Sequence, residues 1–325
     1  MTDTVSLQEI YAPIQNDLRE VENILRSVIN VDYVKLAELL DYSLSEGGKR
    51  IRPALVLLSG KFYHYDLRTL LPMAVAVELL HTATLIHDDA IDNSFVRRGR
   101  PTVNATWDND KAILLGDYLF AKAEEFTART ENVRVIRLCA ETLQIITSGE
   151  LNQAFNAFNL NQSFEDYINR ISSKTASLIT ATTESGAILS HAPEASIQIL
   201  KSYGYNVGVA FQIIDDILDY AGTEEELGKP VGSDLIQGTL TLPAMLLLQK
   251  YPHGNPVKDY FSNPEKREKI NEAIDMIRNS NIVEECYKIA FIYREKACLD
   301  LHNLPDKASR RSLYDLADFV VKRRI

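Results

Sequence analysis

Apolar residues recur at three- and four-residue steps along most of this 325-residue chain, which is the spacing of one face of an α-helix. Near the start, Ser6 and Glu9 have the spacing of a capping box, and an apolar series follows them as far as Leu25. No stretch alternates apolar and polar residues with period two, so strands are not expected and the pattern predicts an all-α fold. The later helices are expected within residues 51–64, 70–93, 110–128, 133–159, 174–190, 195–221, 240–250, 265–302 and 306–324.

No linker rich in Ser, Gly or Pro divides the chain, because its 14 Gly and 11 Pro are spread along it. We therefore predict a single domain over residues 1–325. The longest stretch of loop-like composition covers residues 222–239, GTEEELGKPVGSDLIQGT. Long loops inside compact domains are usually functional, so this one is expected to serve a binding site.

The formal net charge is −10, with 45 acidic against 35 basic residues. This excess argues against nucleic acid as a partner and repels small anions at long range. An anionic substrate would therefore need local basic residues or metal ions. An acidic chain without a basic amphipathic helix is expected to make at most transient contact with a membrane.

The chain shows neither the pattern of a membrane span nor that of a secretion signal. No run reaches the ~18 uninterrupted apolar residues that a span needs. The N-terminal MTDTVSLQEIYAPIQ lacks a basic segment followed by an apolar one. Cys139, Cys286 and Cys298 lie far apart and without metal-ligand spacing, as is typical of reduced thiols. A cytoplasmic location is therefore predicted.

The pattern DDxxD occurs twice, at residues 88–92 and 215–219, each time in a strongly apolar helical run. Positions i and i+4 share a helix face, so the first and last aspartates of each motif reach into one space. A solvated acidic surface is the ordinary alternative, but uncompensated charge in apolar segments is costly. Carboxylates suit Mg²⁺, so we predict two helices facing each other across a metal-bound diphosphate. The predicted metal ligands are Asp88, Asp89, Asp92, Asp215, Asp216 and Asp219.

Basic residues accompany the two motifs. Arginine forks and lysine point charges are what diphosphate recognition uses, and Gly47 and Gly48 would let the backbone approach a phosphate closely. Each basic cluster alone is more typical of a protein surface, but together with two metal-type motifs they favour a diphosphate site. The clusters are residues 47–53 (GGKRIRP), residues 97–101 (RRGRP), Lys174 with Thr175, and Lys229 in the long loop.

These segments, in this order, resemble the trans-isoprenyl diphosphate synthases, and most closely their medium- and long-chain polyprenyl members of the heptaprenyl, octaprenyl and solanesyl type. The segments are GGKRIRP, LLHTATLIHDDAIDNSFVRRGRPT, GDYLFAKA, GELNQ, KTASL, FQIIDDILDY and GKPVGSD, which span nearly the whole chain. The resemblance implies a single-domain, all-α helical bundle around a central cavity. It also implies a homodimer and two or three Mg²⁺ ions in each active site.

The resemblance assigns roles around an allylic diphosphate. Asp88, Asp92 and Asp215 would ligate Mg²⁺, with the other three motif aspartates in support. Arg97, Lys174 and Lys229 would hold the diphosphate, with Thr175 and Gln212 near the reacting carbons. The expected catalytic residues are thus Asp88, Asp92, Asp215, Lys174 and Arg97.

The second substrate implied by the resemblance is isopentenyl diphosphate. It would be held by the segment beginning at Gly48 and by a histidine seven residues before the first motif. Many relatives carry a further loop lysine where this chain has Thr239, so that contact is missing here. The residues carried over are Gly48, Lys49, Arg52, His81 and Arg98.

The implied reaction is ionisation of the allylic diphosphate, condensation with isopentenyl diphosphate and loss of a proton to the released diphosphate. Such a cation must be kept from water in an aliphatic cavity. Short-chain relatives close that cavity with an aromatic ring four or five residues before the first motif, where this chain has Thr84 and Ala83. With Leu80 about one helical turn deeper, we predict a medium- or long-chain product, and Ala83→Phe is expected to shorten it.

The sequence leaves three alternative functions open. A geranylgeranyl- or farnesyl-length synthase would share all the motifs. A class I terpene cyclase would share the helices, but it usually lacks the second DDxxD and has no use for the basic residues at 49 and 52. A non-catalytic subunit tends to lose motif aspartates, and all six are present here. A catalytic chain that needs a small accessory subunit is the weaker form of that last alternative.

Overall fold

The computed structural model describes residues 5–45, 47–97, 99–227 and 230–322 of the chain. Helices dominate, as the periodicity predicts. The first half contains α1 (Leu7–Ile10), α2 (Gln15–Ser27), α3 (Val34–Leu44), α4 (Ile51–Gly60), α5 (Leu67–Ile91), α6 (Val103–Thr106), α7 (Asn109–Ala128) and α8 (Val133–Phe155). The second half contains α9 (Phe164–Ile171), α10 (Ser177–Leu189), α11 (Glu194–Ala221), α12 (Glu224–Leu227), α13 (Ser233–Ile236), α14 (Leu242–Lys250), α15 (Pro256–Ser262), α16 (Glu268–Arg278), α17 (Ile282–Cys298) and α18 (Ala308–Lys322).

Helix α5 is a core helix that carries the first aspartate motif at its C-terminal end. The side chain of Asp66 caps its N-terminus by accepting from the backbone N–H of Arg68. Of the helices in the described ranges, α5 is the one long and apolar enough to cross a membrane, but 61% of its apolar window is buried inside the protein. Helix α7 packs closely against it, since a Cβ on Gly116 would lie 2.2 Å from the His87 ring.

Helix α11 carries the second motif through the interior. A single turn of π-helix, Ser172–Ala176, precedes α10 and lies against α11. Gly208 makes that approach possible, because a Cβ there would come within 2.5 Å of the Cα of Ala176. The π-turn therefore places Thr175 against the helix of the second motif and Lys174 beside Asp88 of the first.

The hydrophobic core is continuous across the described chain, from Ile10 near the start to Val321 near the end. Such a cluster is what one packed helical bundle produces. The capping box at Ser6 and Glu9 is present as predicted. The apolar series after it is interrupted by the 3₁₀ turn Ala12–Ile14, where Pro13 removes a backbone donor.

Two expectations about secondary structure are wrong. The stretch 265–302 is two helices, because the chain leaves α16 at Arg278 and α17 begins at Ile282. The expectation of no strands fails at a small antiparallel hairpin, β1 (Val96–Arg97) and β2 (Arg100–Pro101). Gly99, with φ +75°, supplies the left-handed residue in its turn. Strands of two residues are too short to show a period-two pattern in the sequence.

The periodicity also missed or simplified several segments. Helices α3, α9 and α15 form where no stretch was predicted, and each is only 7 to 11 residues long. The loop-like region 222–239 contains the short helices α12 and α13 within its described part.

Candidate active site

The first motif places its aspartates in different surroundings. Asp88 lies on a partly exposed stripe of α5 together with His81 and Thr84. Asp89 faces inward, where Arg97 of the hairpin donates from Nε to both carboxylate oxygens at 2.9 Å. Burial raises the pKa of Asp89, and this arginine opposes the rise. Arg97 is thus already paired, and it fixes the hairpin to the end of α5.

Lys174 links the first motif to α8. Its Nζ lies 2.7 Å from Glu150 Oε1 and 3.6 Å from Asp88 Oδ2. Burial opposes the ammonium charge, but the two carboxylates outweigh burial and raise the pKa of Lys174 to about 12. The pKa of Glu150 is raised, chiefly by its own burial. Sequence reasoning noted the GELNQ segment but gave Glu150 no role.

The second motif also separates its aspartates. Asp216 is buried and accepts hydrogen bonds from Tyr167 Oη at 2.7 Å and Gln212 Nε2 at 2.8 Å. Burial raises its pKa to about 6, and these two donors limit the rise. Asp219 is buried as well and accepts from Ser233 Oγ at 2.8 Å and from the backbone N–H of Asp234 at 3.2 Å.

The remaining aspartates are the accessible ones. Asp215 is partly exposed on α11, and Asp92 is exposed at the C-terminal cap of α5. Surrounding protein atoms raise the pKa of Asp92, while the charge of Lys174 and a hydrogen bond from Gln237 lower it. Asp88, Asp92 and Asp215 are therefore at least partly exposed, whereas Asp89, Asp216 and Asp219 are buried.

A chain of side-chain contacts joins the two motifs. Lys174 contacts Asp88, and the next residue, Thr175, donates to Gln212 Oε1 at 2.6 Å. Gln212 in turn holds Asp216. The loop after α11 contacts both motifs as well, through Gln237 on the first and Ser233 on the second. These contacts bring the described part of residues 222–239 against both motifs, and its role in binding stays a prediction.

The donor set can be compared with what Mg²⁺ requires. Among the residues that the structure describes, no three His, Cys, Asp or Glu side chains are gathered closely enough to hold a metal ion by themselves. Mg²⁺ is usually bound through one or two carboxylates together with substrate phosphates and water. Three reachable aspartates on two linked helices fit a metal that binds together with a diphosphate.

The basic segment of residues 47–53 (GGKRIRP) lies at the start of α4. The Nζ of Lys49 lies 5.6 Å from the centre of the Phe319 ring, and its carbonyl accepts from Tyr11 Oη at 2.8 Å. Arg50 is bound to Glu22 and Glu78, a pairing that sequence reasoning missed. Two predicted binding residues, Arg98 and Lys229, lie outside the described residues.

The residues predicted to set product length lie on two sides of α5. Thr84 is partly exposed on the stripe of Asp88, whereas Ala83 and Leu80 are buried. A cavity of about 550 Å³ opens between α7 and α8, and its lining includes Glu124, Leu143 and Thr147. Leu143 lies two turns before Glu150 on α8, so the cavity is within about 11 Å of the site along the helix axis.

Comparison with known proteins agrees with this geometry. The family model described as polyprenyl synthetase matches residues 34–277. The heptaprenyl diphosphate synthase component 2 of Geobacillus stearothermophilus is 40% identical over 98% of this chain and 99% of that protein.

Solved structures give the same result. The heptaprenyl diphosphate synthase of Staphylococcus aureus has a TM-score of 0.89 and 37% identity over 99% of both chains. A polyprenyl synthase from Caulobacter crescentus, solved with calcium and isoprenyl diphosphate, has a TM-score of 0.94 and 31% identity over the full length of both chains.

The architecture is that of the all-α isoprenyl diphosphate synthases. The chain belongs to the polyprenyl synthetase family, and it is a prenyltransferase. The predicted family, all-α fold and enzyme class are confirmed. The metal-binding and substrate-binding roles of individual residues stay predictions.

Proposed function

We propose that this enzyme adds isopentenyl units head to tail to an allylic diphosphate and releases a medium- or long-chain all-trans polyprenyl diphosphate. The proposal rests on a series of contacts that links the two motifs. Lys174 contacts Asp88, the adjacent Thr175 donates to Gln212, and Gln212 donates to Asp216. This series joins two carboxylate motifs around cationic and amide groups, which is the arrangement that a metal-bound diphosphate requires.

In the proposed site, Asp88 and Asp92 on α5 and Asp215 on α11 hold Mg²⁺. Bound there, Mg²⁺ supplies positive charge to the departing diphosphate as the allylic C–O bond breaks. Asp89 and Asp216 keep the two motifs in place through the Arg97, Tyr167 and Gln212 contacts. The calcium and isoprenyl diphosphate in the Caulobacter crescentus relative support this use of the fold.

The chain's own groups contribute fixed charge to the same step. Lys174 is fully ionised at neutral pH, because its pKa is raised to about 12 by Asp88 and Glu150 despite burial. A preorganised ammonium stabilises charge on the leaving group without having to reorient. Lys229 is proposed to add a further contact to the same diphosphate. Thr175 and Gln212, which are bonded to each other, border the reacting carbons.

Isopentenyl diphosphate is proposed to bind at Gly48, Lys49, Arg52 and Arg98, with His81 about two turns before Asp88 on α5. A second cationic site beside the first brings the alkene next to the allylic cation, which is a proximity contribution. The cavity walls exclude water while the cation exists. The proton lost at the end passes to the released diphosphate, so no side chain is needed as general base.

The proposed product is long because the wall below Asp88 is lined by small side chains. Thr84 and Ala83 leave open the space that an aromatic ring would fill, and Leu80 lies beyond them. The relatives named heptaprenyl diphosphate synthase support a product in this class.

We further propose one domain that acts as a homodimer in the cytoplasm. Apolar side chains that are exposed on α7 and α8 favour a partner surface; they are Ile113, Leu114, Ile145, Leu151 and Phe155. The three cysteines are buried and free, which suits a reducing compartment. Because the Geobacillus stearothermophilus relative is named a component 2, a small accessory subunit is a further proposed partner.

The test is product analysis of the purified chain with Mg²⁺, isopentenyl diphosphate and allylic primers of different lengths. We expect polyprenyl diphosphates longer than geranylgeranyl diphosphate, and no product without isopentenyl diphosphate. Conversion of the primer alone into a hydrocarbon would identify a terpene cyclase. Products that stop at farnesyl or geranylgeranyl length would contradict the long-chain proposal. If elongation appears only after an accessory subunit is added, the chain requires that subunit for activity.

A further inference from the structure

Arg50 lies within the basic segment at the start of α4, but its side chain is directed at two carboxylates. Its Nη1 donates to Glu78 Oε1 at 2.7 Å, and its Nη2 donates to Glu22 Oε2 at 3.2 Å. Its Nε also donates to Glu22. The Arg50 side chain is only 13% exposed, and that of Glu78 only 9%. All three guanidinium nitrogens of Arg50 are therefore engaged by these two carboxylates.

The backbone of Arg50 is also unusual. Its φ of +50° and ψ of +35° are left-handed, a region that residues other than Gly, Asn and Asp avoid. Such a conformation persists where the surroundings over-determine it. Here the ion pairs hold the side chain, Tyr11 Oη holds the carbonyl of Lys49, and the carbonyl of Arg50 accepts the first helical bond of α4 from Ala54.

This turn sets the direction of the residues on either side of it. Lys49 precedes Arg50, and Arg52 lies in the first turn of α4. Glu78 is three residues before His81 on α5, so the two share a helix face. The pair of Arg50 with Glu78 therefore connects the two elements that carry the proposed contacts to isopentenyl diphosphate.

The same pair matters for charge. Glu22 and Glu78 would place two negative charges beside a diphosphate site, and Arg50 offsets one of them. Removing its fork would leave carboxylates that repel the incoming anion. The segment thus combines Lys49, which is exposed, and Arg52, which is partly exposed, with Arg50, whose charge offsets the neighbouring carboxylates.

We propose that Arg50, acting through Glu78 and Glu22, is a positioning residue that orients Lys49 and Arg52 for isopentenyl diphosphate. The inference rests on the proposed assignment of Lys49, Arg52 and His81 to that substrate. A positioning role of this kind changes the binding of one substrate and leaves the chemistry of the other intact.

The experiment compares Arg50→Lys and Glu22→Gln with the unmodified enzyme in steady-state kinetics. Lysine keeps the charge but cannot engage both carboxylates, so KM for isopentenyl diphosphate should rise about tenfold, with KM for the allylic substrate changed less than about twofold. Glu22→Gln alters the more exposed partner and should raise the same KM about threefold. Arg26→Lys, at an exposed position of α2, is the matched control and should match the unmodified enzyme.

Two further variants separate the possible failures. Arg50→Asn suits the left-handed backbone but lacks the fork, so it should raise the same KM as Arg50→Lys does. If Lys49→Ala leaves KM for isopentenyl diphosphate unchanged, the proposed site itself is wrong. If Lys49→Ala raises it while the Arg50 variants do not, or raise both KM values equally, only the positioning role is overturned.

Discussion

At the scale of single residues, Tyr167 is one of two donors, after Gln212, that limit the rise in the pKa of Asp216. Its hydroxyl, fully buried, donates to the carboxylate at 2.7 Å and opposes the effect of burial, which raises the pKa of Asp216 to about 6. Tyr167→Phe removes that donor and should raise this pKa further, because a hydrogen bond to the charged form is lost. If the ionised carboxylate is needed to order the metal site, the acidic limb of the kcat/KM profile moves to higher pH.

The measurement is kcat/KM against pH at saturating Mg²⁺. Tyr63→Phe is the matched control, since Tyr63 bonds Ser196 away from both motifs and should leave the limb in place. An acidic limb that stays where it is in Tyr167→Phe would show that Asp216 does not limit activity at low pH.

Individual residues differ in how far the sequence reveals them. The six motif aspartates could be named in advance because the same spacing occurs twice in apolar surroundings. Tyr167 and Glu150 could not be named in advance, because each matters through a contact with a residue distant in sequence. Tyr167 and its partner Asp216 are 49 residues apart. The sequence places Arg50 in a basic cluster, but its type and spacing do not distinguish an arginine paired with carboxylates from one available to a ligand.

At the scale of elements, periodicity predicts the long helices well and the irregular ones poorly. Residues 174–190 were expected to be helical, and α10 begins only at Ser177 because the preceding turn is a π-helix. That turn depends on close approaches at Gly208 and Gly149, where a Cβ would come within 2.5 Å and 2.7 Å of the turn. Because glycine has no side chain, these close approaches leave no periodic signal in the sequence. The π-helical turn that carries Lys174 therefore could not be predicted.

The two faces of α5 lead to a prediction about product length. Thr84→Phe adds a ring on the partly exposed stripe below Asp88, so it should shorten the product with little loss of Tm. Ala83 is fully buried, so Ala83→Phe should shorten the product and also destabilise the protein by about 1–3 kcal/mol through overpacking. Chromatography of the products and thermal unfolding measure the two effects. Unchanged product length in both variants would show that the growing chain does not pass this part of α5.

At the scale of the whole molecule, α7 and α8 carry exposed apolar side chains that support the proposed homodimer. Leu114 is 66% exposed and Phe155 is 87% exposed, and three more apolar side chains accompany them. Exposed apolar side chains grouped on neighbouring helices are typical of a protein interface. The cavity between the same two helices lies at this surface, so a second copy seated there would also close it to solvent.

Leu114→Glu should therefore separate the proposed homodimer. A charge placed in the middle of an apolar interface leaves a desolvated carboxylate unpaired, which should weaken association by roughly a hundredfold or more. Sedimentation equilibrium at micromolar concentration measures the change. Leu299→Glu is the control, because Leu299 is as exposed as Leu114 but follows α17, outside the α7 and α8 surface, and should leave the dimer intact. If Leu114→Glu sediments as a dimer while elongation is unaffected, the subunits associate through another face, and the cavity between α7 and α8 is closed by something other than a second copy.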